Sequence, residues 1–472
     1  MTSHRKHIVF FSVFLALLVG IALWMSSDTE RPKEETRESA SHKPKTAPAA
    51  QKTSADTALR TFTFPRNFVW GAATSAFQTE GGNGLTDWDA WDKYRNAKAY
   101  HPGFTDQDIS LAAQLGIQEL RFSIEWARVE PEQGVWDQKE LTHAAYLVRT
   151  MQRHGIRPFP NLHHFTLPRW VAERGGVEND SFPYWYAQYA GKVAKRLKPF
   201  GIVRWMTFNE PIVPIETGYL NGVWPPGKSR DVEGAVKATW HFVAAHKRAY
   251  TVLHRILDTP ERKIQVGMAY LPHLFVPKNP KSEEDRRVAS LMGFGSEMML
   301  RATEDYMDYL GLNYYTRSVV SFSTATVMFG RLPVAVGYTD NKDANGNMEI
   351  YPEGIRILVA SYYSFKKPIL ITENGVNDRK DLKRAQFISD HLRELRRALP
   401  EAKAAGAPII GYFYWTLTDN FEWDERKLSH FGLIGVDPKT GVREVRPSAL
   451  FFRDAIRARG ISEKMRSEYH LQ

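Results

Sequence analysis

The stretch VRWMTFNE, residues 203–210, is a short apolar run of the kind that forms a buried β-strand, and it ends in two polar side chains. Seven similar runs follow or precede it, and stretches with helical spacing, such as 180–198 and 378–399, lie between them. Repeated strand–helix units predict a parallel sheet, and eight of them predict an α/β protein with a single (β/α)8 TIM barrel over 61–472. A doubly wound open sheet is the alternative, but no glycine-rich phosphate turn follows the first run. The eight runs are 68–78, 119–126, 157–165, 203–210, 264–270, 307–315, 368–375 and 409–417.

Six polar or charged side chains fall at the predicted C-terminal ends of these runs. In a (β/α)8 barrel those ends form the mouth in which active sites lie. One polar residue at a strand end is usually a cap or a turn residue, but capping does not explain a pattern repeated around the barrel. The sequence therefore predicts an active site at this mouth. The six residues are Gln78, His164, Asn209, Glu210, Tyr315 and Glu373.

Two short segments, TFNEP (207–211) and ITENG (371–375), place a glutamate at the ends of the fourth and seventh predicted strands. These strands lie roughly across a barrel mouth from each other, so we expect Glu210 and Glu373 to converge. Glycoside hydrolysis uses such a pair: a protonated carboxyl group releases the leaving oxygen, and a second carboxylate attacks the anomeric carbon or activates water. Unequal environments must keep one carboxyl group protonated and its partner ionised.

The two segments resemble the signature motifs of family 1 glycoside hydrolases, the retaining β-glucosidase family. The resemblance extends over nearly all of 62–450 and includes five further motifs in the order and on the strands that the family has. A single TFNEP arises by chance, but seven ordered motifs do not. The five are FVWGAATSAFQTEG (68–81), RFSIEWARVEPEQG (121–134), LHHFTLPRW (162–170), GLNYYT (311–316) and YWTLTDNFEW (414–423).

The resemblance implies a role for each matching residue. Glu373 is the expected nucleophile and Glu210 the expected acid/base, with their carboxyl groups about 5–5.5 Å apart. Tyr315 and Arg121 are expected to orient the nucleophile and to support its charge, and Asn209 is expected to hold the sugar 2-hydroxyl. The remaining residues are expected to bind the sugar, with Trp415 as the floor on which its apolar face stacks. The sugar-binding set is Gln78, His164, Asn209, Asn313, Trp415, Glu422 and Trp423.

The segment after the eighth predicted strand indicates the type of sugar. Glu422 can accept hydrogen bonds from the 4- and 6-hydroxyls, and its charge would repel a 6-phosphate. The phospho-sugar branch of the family has Lys and Tyr where this chain has Ser429 and Phe431. We therefore expect a neutral hexose such as β-glucose, with β-galactose and β-fucose as alternatives.

Two other functions use features of the same sequence. A transglycosylase would use identical carboxylates but pass the sugar to a sugar or lipid hydroxyl instead of water. A carbohydrate-binding protein without turnover would be favoured only if one glutamate were missing. Both are present, so a retaining β-glycosidase is the prediction.

Composition limits the cofactors and partners. The chain has no cysteine, which excludes disulfides, zinc–thiolate sites and a cysteine nucleophile. The pair His163 and His164 has no third ligand at metal-site spacing, so we expect no metal, and two carboxylates need no cofactor. The net charge is +10, but no Lys/Arg block beyond short pairs follows residue 60, so we expect no nucleic-acid partner.

The N-terminal region predicts a membrane anchor. Residues 8–25 form an uncharged apolar run long enough to cross a bilayer, and the basic residues before it favour a cytoplasmic N-terminus. Residues 26–60 have no aromatic residue and almost no large aliphatic one, which is typical of a disordered linker. We therefore expect segments 1–25 and 26–60 to tether a catalytic domain, 61–472, outside the cytoplasm. Secretion after signal cleavage is the alternative.

Overall fold

The computed structural model describes residues 60–91, 103–322, 334–337, 348–423 and 427–472. The predicted anchor (8–25) and all of the predicted linker except Arg60 lie outside the described residues. Among the residues that are described, no helix is both long enough and apolar enough to cross a membrane.

Eight parallel strands of the described chain close into one barrel, each paired with its neighbours and the eighth with the first. One main helix follows every strand, as expected when parallel strands are joined by crossover connections. The predicted (β/α)8 barrel is therefore confirmed. The strands are β1 (Val69–Ala73), β2 (Glu119–Ser123), β3 (Arg157–Asn161), β4 (Arg204–Asn209), β5 (Gln265–Tyr270), β6 (Tyr309–Asn313), β7 (Ile369–Asn374) and β8 (Ile409–Trp415). The helices are α1 (Asp106–Gln114), α2 (Gln138–Arg153), α3 (Phe182–Leu197), α4 (Val232–Leu257), α5 (Glu283–Thr303), α6 (Glu353–Ser361), α7 (Arg384–Ala404) and α8 (Pro447–Ala458).

Short elements surround the two barrel ends. A small sheet combines Leu274–Pro277, Arg317–Phe322 and Val334–Gly337, and Phe62–Thr63 pairs with Gly460–Ile461. Two hairpins lie between β8 and α8: Asn420–Glu422 with Lys427–Ser429, and Ile434–Val436 with Arg443–Val445. We call the first of these the β8 hairpin. Short helices span Ala76–Glu80, Asp87–Ala90, Trp126–Val129, Arg169–Glu173, Ile212–Ile215 and Glu463–Glu468.

The predicted strands are correct in position but too long. The first was expected over 68–78 with Gln78 at its end, whereas β1 ends at Ala73 and Gln78 lies on the helix Ala76–Glu80. The chain turns at this point because the backbone N–H of Ala76 donates to the Ser123 hydroxyl, which begins a helical turn rather than a further strand residue. Polar residues predicted to end strands mostly lie one to several positions beyond them.

The predicted helices shift in the same way. The stretch 180–198 became Phe182–Leu197, but 378–399 became Arg384–Ala404. The later start has a local cause, because the Asp378 carboxylate accepts from the backbone N–H groups of Lys383 and Arg384 and caps the first turn there.

Large side chains fill the barrel interior. Phe159, Met206, Tyr309, Leu370 and Phe413 form a buried layer at its centre. Side chains on the outer face of the strands pack instead against the surrounding helices in the main core. The interior is thus a packed core, and the site lies above it at the C-terminal ends of the strands.

Irregular pairing occurs on the two strands that carry the glutamates. The register of β4 against β5 shifts between Met206 and Asn209, and that of β7 against β6 shifts between Ile371 and Glu373. In β4, Phe208 packs outward against rings of α3 and α4, while Asn209 bonds to Arg121 inside the barrel. Such bulges re-aim side chains, here towards the barrel mouth.

Candidate active site

Glu210 directly follows β4 and has a left-handed backbone with φ of 45°. Its N–H donates to Ala269 O at 2.9 Å, and its side chain is 6% exposed. The Glu210 Oε1 atom accepts from Asn313 Nδ2 at 2.5 Å. Burial, and then the negative charge of Glu373, raises the pKa of the Glu210 carboxyl group to about 8. Glu210 is therefore protonated at neutral pH.

Glu373 lies on β7 and is 3% exposed. Arg121 Nη2 donates to its Oε1 atom, and the Tyr315 hydroxyl donates to its Oε2 atom. Burial and the neighbouring carboxylate hold the pKa of Tyr315 well above its ordinary value, so the phenol stays protonated and remains a donor. A cation and a donor on opposite oxygens fix the orientation of the Glu373 side chain.

Asn209 and Asn313 connect the two carboxylates. Arg121 Nη1 donates to Asn209 Oδ1 at 2.8 Å, and Asn313 Nδ2 lies 3.2 Å from the same oxygen. The hydrogen bonds therefore run without a break from Glu373 through Arg121, Asn209 and Asn313 to Glu210. The structure brings these five predicted residues together from β2, β4, β6 and β7.

Aromatic side chains form one wall of the mouth. The His164 ring stacks on Trp415 with centroids 5.6 Å apart and on Trp423 at 6.2 Å, each at an interplanar angle of 12°. The Arg121 guanidinium lies 5.6 Å from the Trp415 ring centroid. Burial, with the charge of Arg121, holds the pKa of His164 well below its ordinary value, so this ring is neutral. A neutral imidazole can both donate to and accept from a hydroxyl group.

Gln78 and the β8 hairpin lie side by side. Gln78 Nε2 donates to Phe421 O at 2.8 Å, which joins the helix Ala76–Glu80 to the strand that ends in Glu422. Trp423 follows and stacks on Phe77 with centroids 5.4 Å apart. The negative charge of Glu422 also contributes to the raised pKa of Glu210, so the hairpin faces the acid.

Asn313 is predicted from the sequence to bind the sugar, and in the structure its amide contacts Glu210, Asn209 and Thr372. Thr372 was missed altogether, and its hydroxyl donates to Asn313 Oδ1 at 2.6 Å. Its position beside Glu373 in ITENG was the one available signal. Within the part of the chain that the structure describes, no three His, Asp or Glu side chains are grouped as a metal site.

Two buried carboxylates at the mouth of a (β/α)8 barrel, one protonated and one held by a cation, define an enzyme that cleaves O-glycosidic bonds. The sequence model described as glycosyl hydrolase family 1 matches residues 60–303 and 295–461. The chain belongs to glycosyl hydrolase family 1. It is an O-glycosyl hydrolase of the retaining β-glycosidase class, which confirms the prediction made from the motifs.

Individual relatives agree with this assignment. Beta-glucosidase A of Thermotoga maritima is 29% identical over 460 residues, which cover 85% of this chain and 99% of the relative. A beta-galactosidase of Pyrococcus woesei is 28% identical over 516 residues, covering 86% and 99%. The solved beta-glucosidase from Thermotoga maritima in complex with glucoimidazole superposes with a TM-score of 0.74 at 27% identity, covering 84% of this chain and 100% of that one.

Proposed function

We propose that the enzyme hydrolyses terminal β-glucosides, with Glu373 as nucleophile and Glu210 as acid/base. The observation that carries this proposal is the unlike environment of the two carboxyl groups. Glu210 is buried with a pKa of about 8, whereas Glu373 accepts from Arg121 and Tyr315. Unequal environments of this kind assign a donor of protons and an ionised nucleophile to one pair.

In the first step, the Glu373 carboxylate attacks the anomeric carbon, and the proton of Glu210 passes to the leaving oxygen. Asn209 holds the sugar 2-hydroxyl, and Arg121 and Tyr315 keep the attacking oxygen in place. The covalent glycosyl ester that forms no longer carries the charge of Glu373.

In the second step, Glu210 changes role. The charge of Glu373 contributes to the raised pKa of Glu210, so forming the ester lowers that pKa. The Glu210 carboxylate left by the first step therefore stays ionised and takes a proton from water, whose oxygen attacks the anomeric carbon as the ester bond to Glu373 breaks. The product keeps the β-configuration.

Sugar recognition falls to the residues around the mouth. Gln78, His164, Glu422 and Trp423 bind the outer hydroxyls, and Trp415 supports the apolar face of the ring. A carboxylate at position 422 accepts from the 4- and 6-hydroxyls of a neutral hexose and repels a 6-phosphate. The relatives include a beta-glucosidase and a beta-galactosidase, so both neutral sugars are candidates and β-glucose is our first choice.

Initial rates on four aryl glycosides test the substrate: β-glucoside, β-galactoside, β-fucoside and 6-phospho-β-glucoside. The full-length enzyme in detergent is compared with Glu373→Gln and Glu210→Gln. We expect the highest kcat/KM on the neutral β-glucoside and loss of turnover with Glu373→Gln. Faster hydrolysis of the 6-phospho-glycoside would contradict the role given to Glu422.

We also propose that the apolar run 8–25 anchors the enzyme in a membrane with residues 61–472 outside the cytoplasm. The length of the uncharged run and the basic residues before it support this proposal. Membranes are washed with high salt and then treated with protease from the outside. We expect the full-length chain to remain in the salt-washed membranes, and we expect protease added to intact cells to cleave it. Release of the full-length chain by salt would contradict the anchor.

A further inference from the structure

The Asn313 side chain lies between the two catalytic strands, fully buried at the end of β6. Its Nδ2 atom is 2.5 Å from Glu210 Oε1 and 3.2 Å from Asn209 Oδ1. Its Oδ1 atom accepts from the Thr372 hydroxyl at 2.6 Å, and Thr372 is also fully buried. Both ends of the amide are therefore engaged.

The orientation of this amide follows from Arg121. A guanidinium group only donates hydrogen bonds, so the Asn209 atom 2.8 Å from Arg121 Nη1 must be the oxygen. The Asn313 atom that faces this oxygen must then be the nitrogen. The remaining Asn313 oxygen points at Thr372, whose hydroxyl must donate.

We infer that Thr372 and Asn313 are positioning residues that hold an obligatory N–H donor against Glu210 and so set the balance between its acid and base forms. This inference rests on the acid/base role proposed for Glu210. A donor on a carboxyl oxygen favours the ionised form of the group. Thr372 acts through Asn313, because its hydroxyl keeps the amide oxygen turned away from the Glu210 carboxylate.

The surroundings of Glu210 explain why such a donor matters. Burial raises the pKa of Glu210, and the negative charges of Glu373 and Glu422 act in the same direction. The Asn313 hydrogen bond and the charge of Arg121 act in the opposite direction. Without the donor, Glu210 would still protonate a leaving group, but the carboxylate left by that step would be reprotonated from solvent more readily and would then be unable to activate water. The titratable and charged groups facing Glu210 are Glu373 from β7, Arg121 from β2, Glu422 from the β8 hairpin and Tyr315 from the segment after β6.

The pH dependence of kcat/KM in the full-length enzyme tests the inference. Thr372→Val keeps the shape of the side chain and removes the hydroxyl, while Thr372→Ser restores it. Loss of the oriented donor moves the alkaline limb, which reports protonated Glu210, upward by about one pH unit. We expect this shift in Thr372→Val and Asn313→Ala, and a return towards the wild-type position in Thr372→Ser.

A second readout separates the two chemical steps. On an aryl glycoside with a good leaving group, Thr372→Val should lower kcat and KM together, because the glycosyl-enzyme accumulates when water is poorly activated. Azide attacks without a general base, so added azide should restore turnover in this variant. Recovery of kcat by azide would not follow from a merely loosened fold.

The matched control is Thr207→Val. Thr207 is equally buried on the other catalytic strand, but its hydroxyl lies 2.7 Å from His246 Nδ1, on the helix side of the barrel. This variant should lower the unfolding temperature and leave the alkaline limb in place. An unmoved limb in folded Thr372→Val and Asn313→Ala would overturn the inference. Persistence of the limb in Glu210→Gln would instead overturn the acid/base role on which it rests.

Discussion

Strand β2 contributes one residue to each of two ion-pair clusters, Glu119 at the base of the barrel and Arg121 at its mouth. At the start of β2, Glu119 accepts from Arg204 through one oxygen and from Arg157 at 3.1 Å through the other. Two residues later, Arg121 donates to Glu373 at the mouth. Both carboxylates are buried, yet their surroundings differ in charge.

The Glu119 carboxylate pairs with two arginines, and the side chain of one of them, Arg157, is 57% exposed to solvent. The Glu373 carboxylate has a single arginine, Arg121, which also donates to Asn209. A second buried carboxyl group, that of Glu210, lies nearby. The Glu119 carboxylate therefore has a positively charged partner on each of its oxygens. At the mouth, the charge of Glu373 helps to keep the neighbouring Glu210 protonated, which the chemistry requires. We therefore expect mutations at the mouth to affect mainly activity and mutations at Glu119 to affect mainly stability.

The largest effect on kcat is expected from changes to the Arg121–Glu373 pair at the barrel mouth. Glu373→Gln removes the nucleophile but keeps the size of the side chain, so kcat on an aryl β-glucoside should fall at least about a thousandfold. Unfolding in denaturant should show a smaller loss of stability than Glu119→Gln, because removing the charge of Glu373 also lowers the cost of keeping Glu210 protonated in the folded state. Retention of more than a tenth of wild-type kcat would show that Glu373 is not the nucleophile.

For the Glu119–Arg204 pair at the base of the barrel, we expect the loss to be in the free energy of unfolding. Glu119→Gln leaves Arg204, whose side chain is 11% exposed, without its anionic partner. Breaking a buried pair from one side costs about 3 kcal/mol of the free energy of unfolding. Chemical denaturation measures that loss, and kcat per folded molecule should stay within about twofold of wild type. A large fall in kcat with unchanged stability would place catalytic function at this end as well.

A third expected effect concerns Glu210 and the pH dependence of the free energy of unfolding. Its pKa is raised from 4.5 to about 8, so between these values the folded state binds more protons than the unfolded state. The free energy of unfolding contributed by this group therefore falls as the pH rises through that window. Glu210→Gln carries no such charge and should gain stability relative to wild type as the pH rises from 4.5 to about 8. Equal pH dependence of the two proteins in denaturant titrations would contradict the raised pKa.

The barrel and the two glutamates were predictable because each leaves a local signal. Eight apolar runs alternate with helical stretches, and TFNEP and ITENG are distinctive short segments. The bulges in β4 and β7 leave no such signal, since they depend on the register against neighbouring strands. The exact strand ends were missed for the same reason, and Gln78 consequently lies on a helix.

The hydrogen bonds that link Glu373 to Glu210 could not be predicted from the sequence either. The motif that contains Asn313 predicted a place in the site, but it did not predict the contacts of its amide with Glu210 and Thr372. These hydrogen bonds join residues from β4, β6 and β7. The orientation of the amide depends in addition on Arg121, which lies on β2. Only the closed barrel brings these side chains within hydrogen-bonding distance.

Trapping the covalent intermediate tests whether Glu373 is the nucleophile of a retaining enzyme. A 2-deoxy-2-fluoro-β-glucoside with a good leaving group slows both steps, because the fluorine destabilises the positively charged transition states, and the glycosyl-enzyme accumulates. The intact mass of the full-length enzyme should increase by one fluoroglucosyl group, and peptide mapping should place that group on Glu373. The Glu373→Gln variant should remain unlabelled. Label on Glu210 or another residue, or turnover to an inverted product without label, would contradict the account.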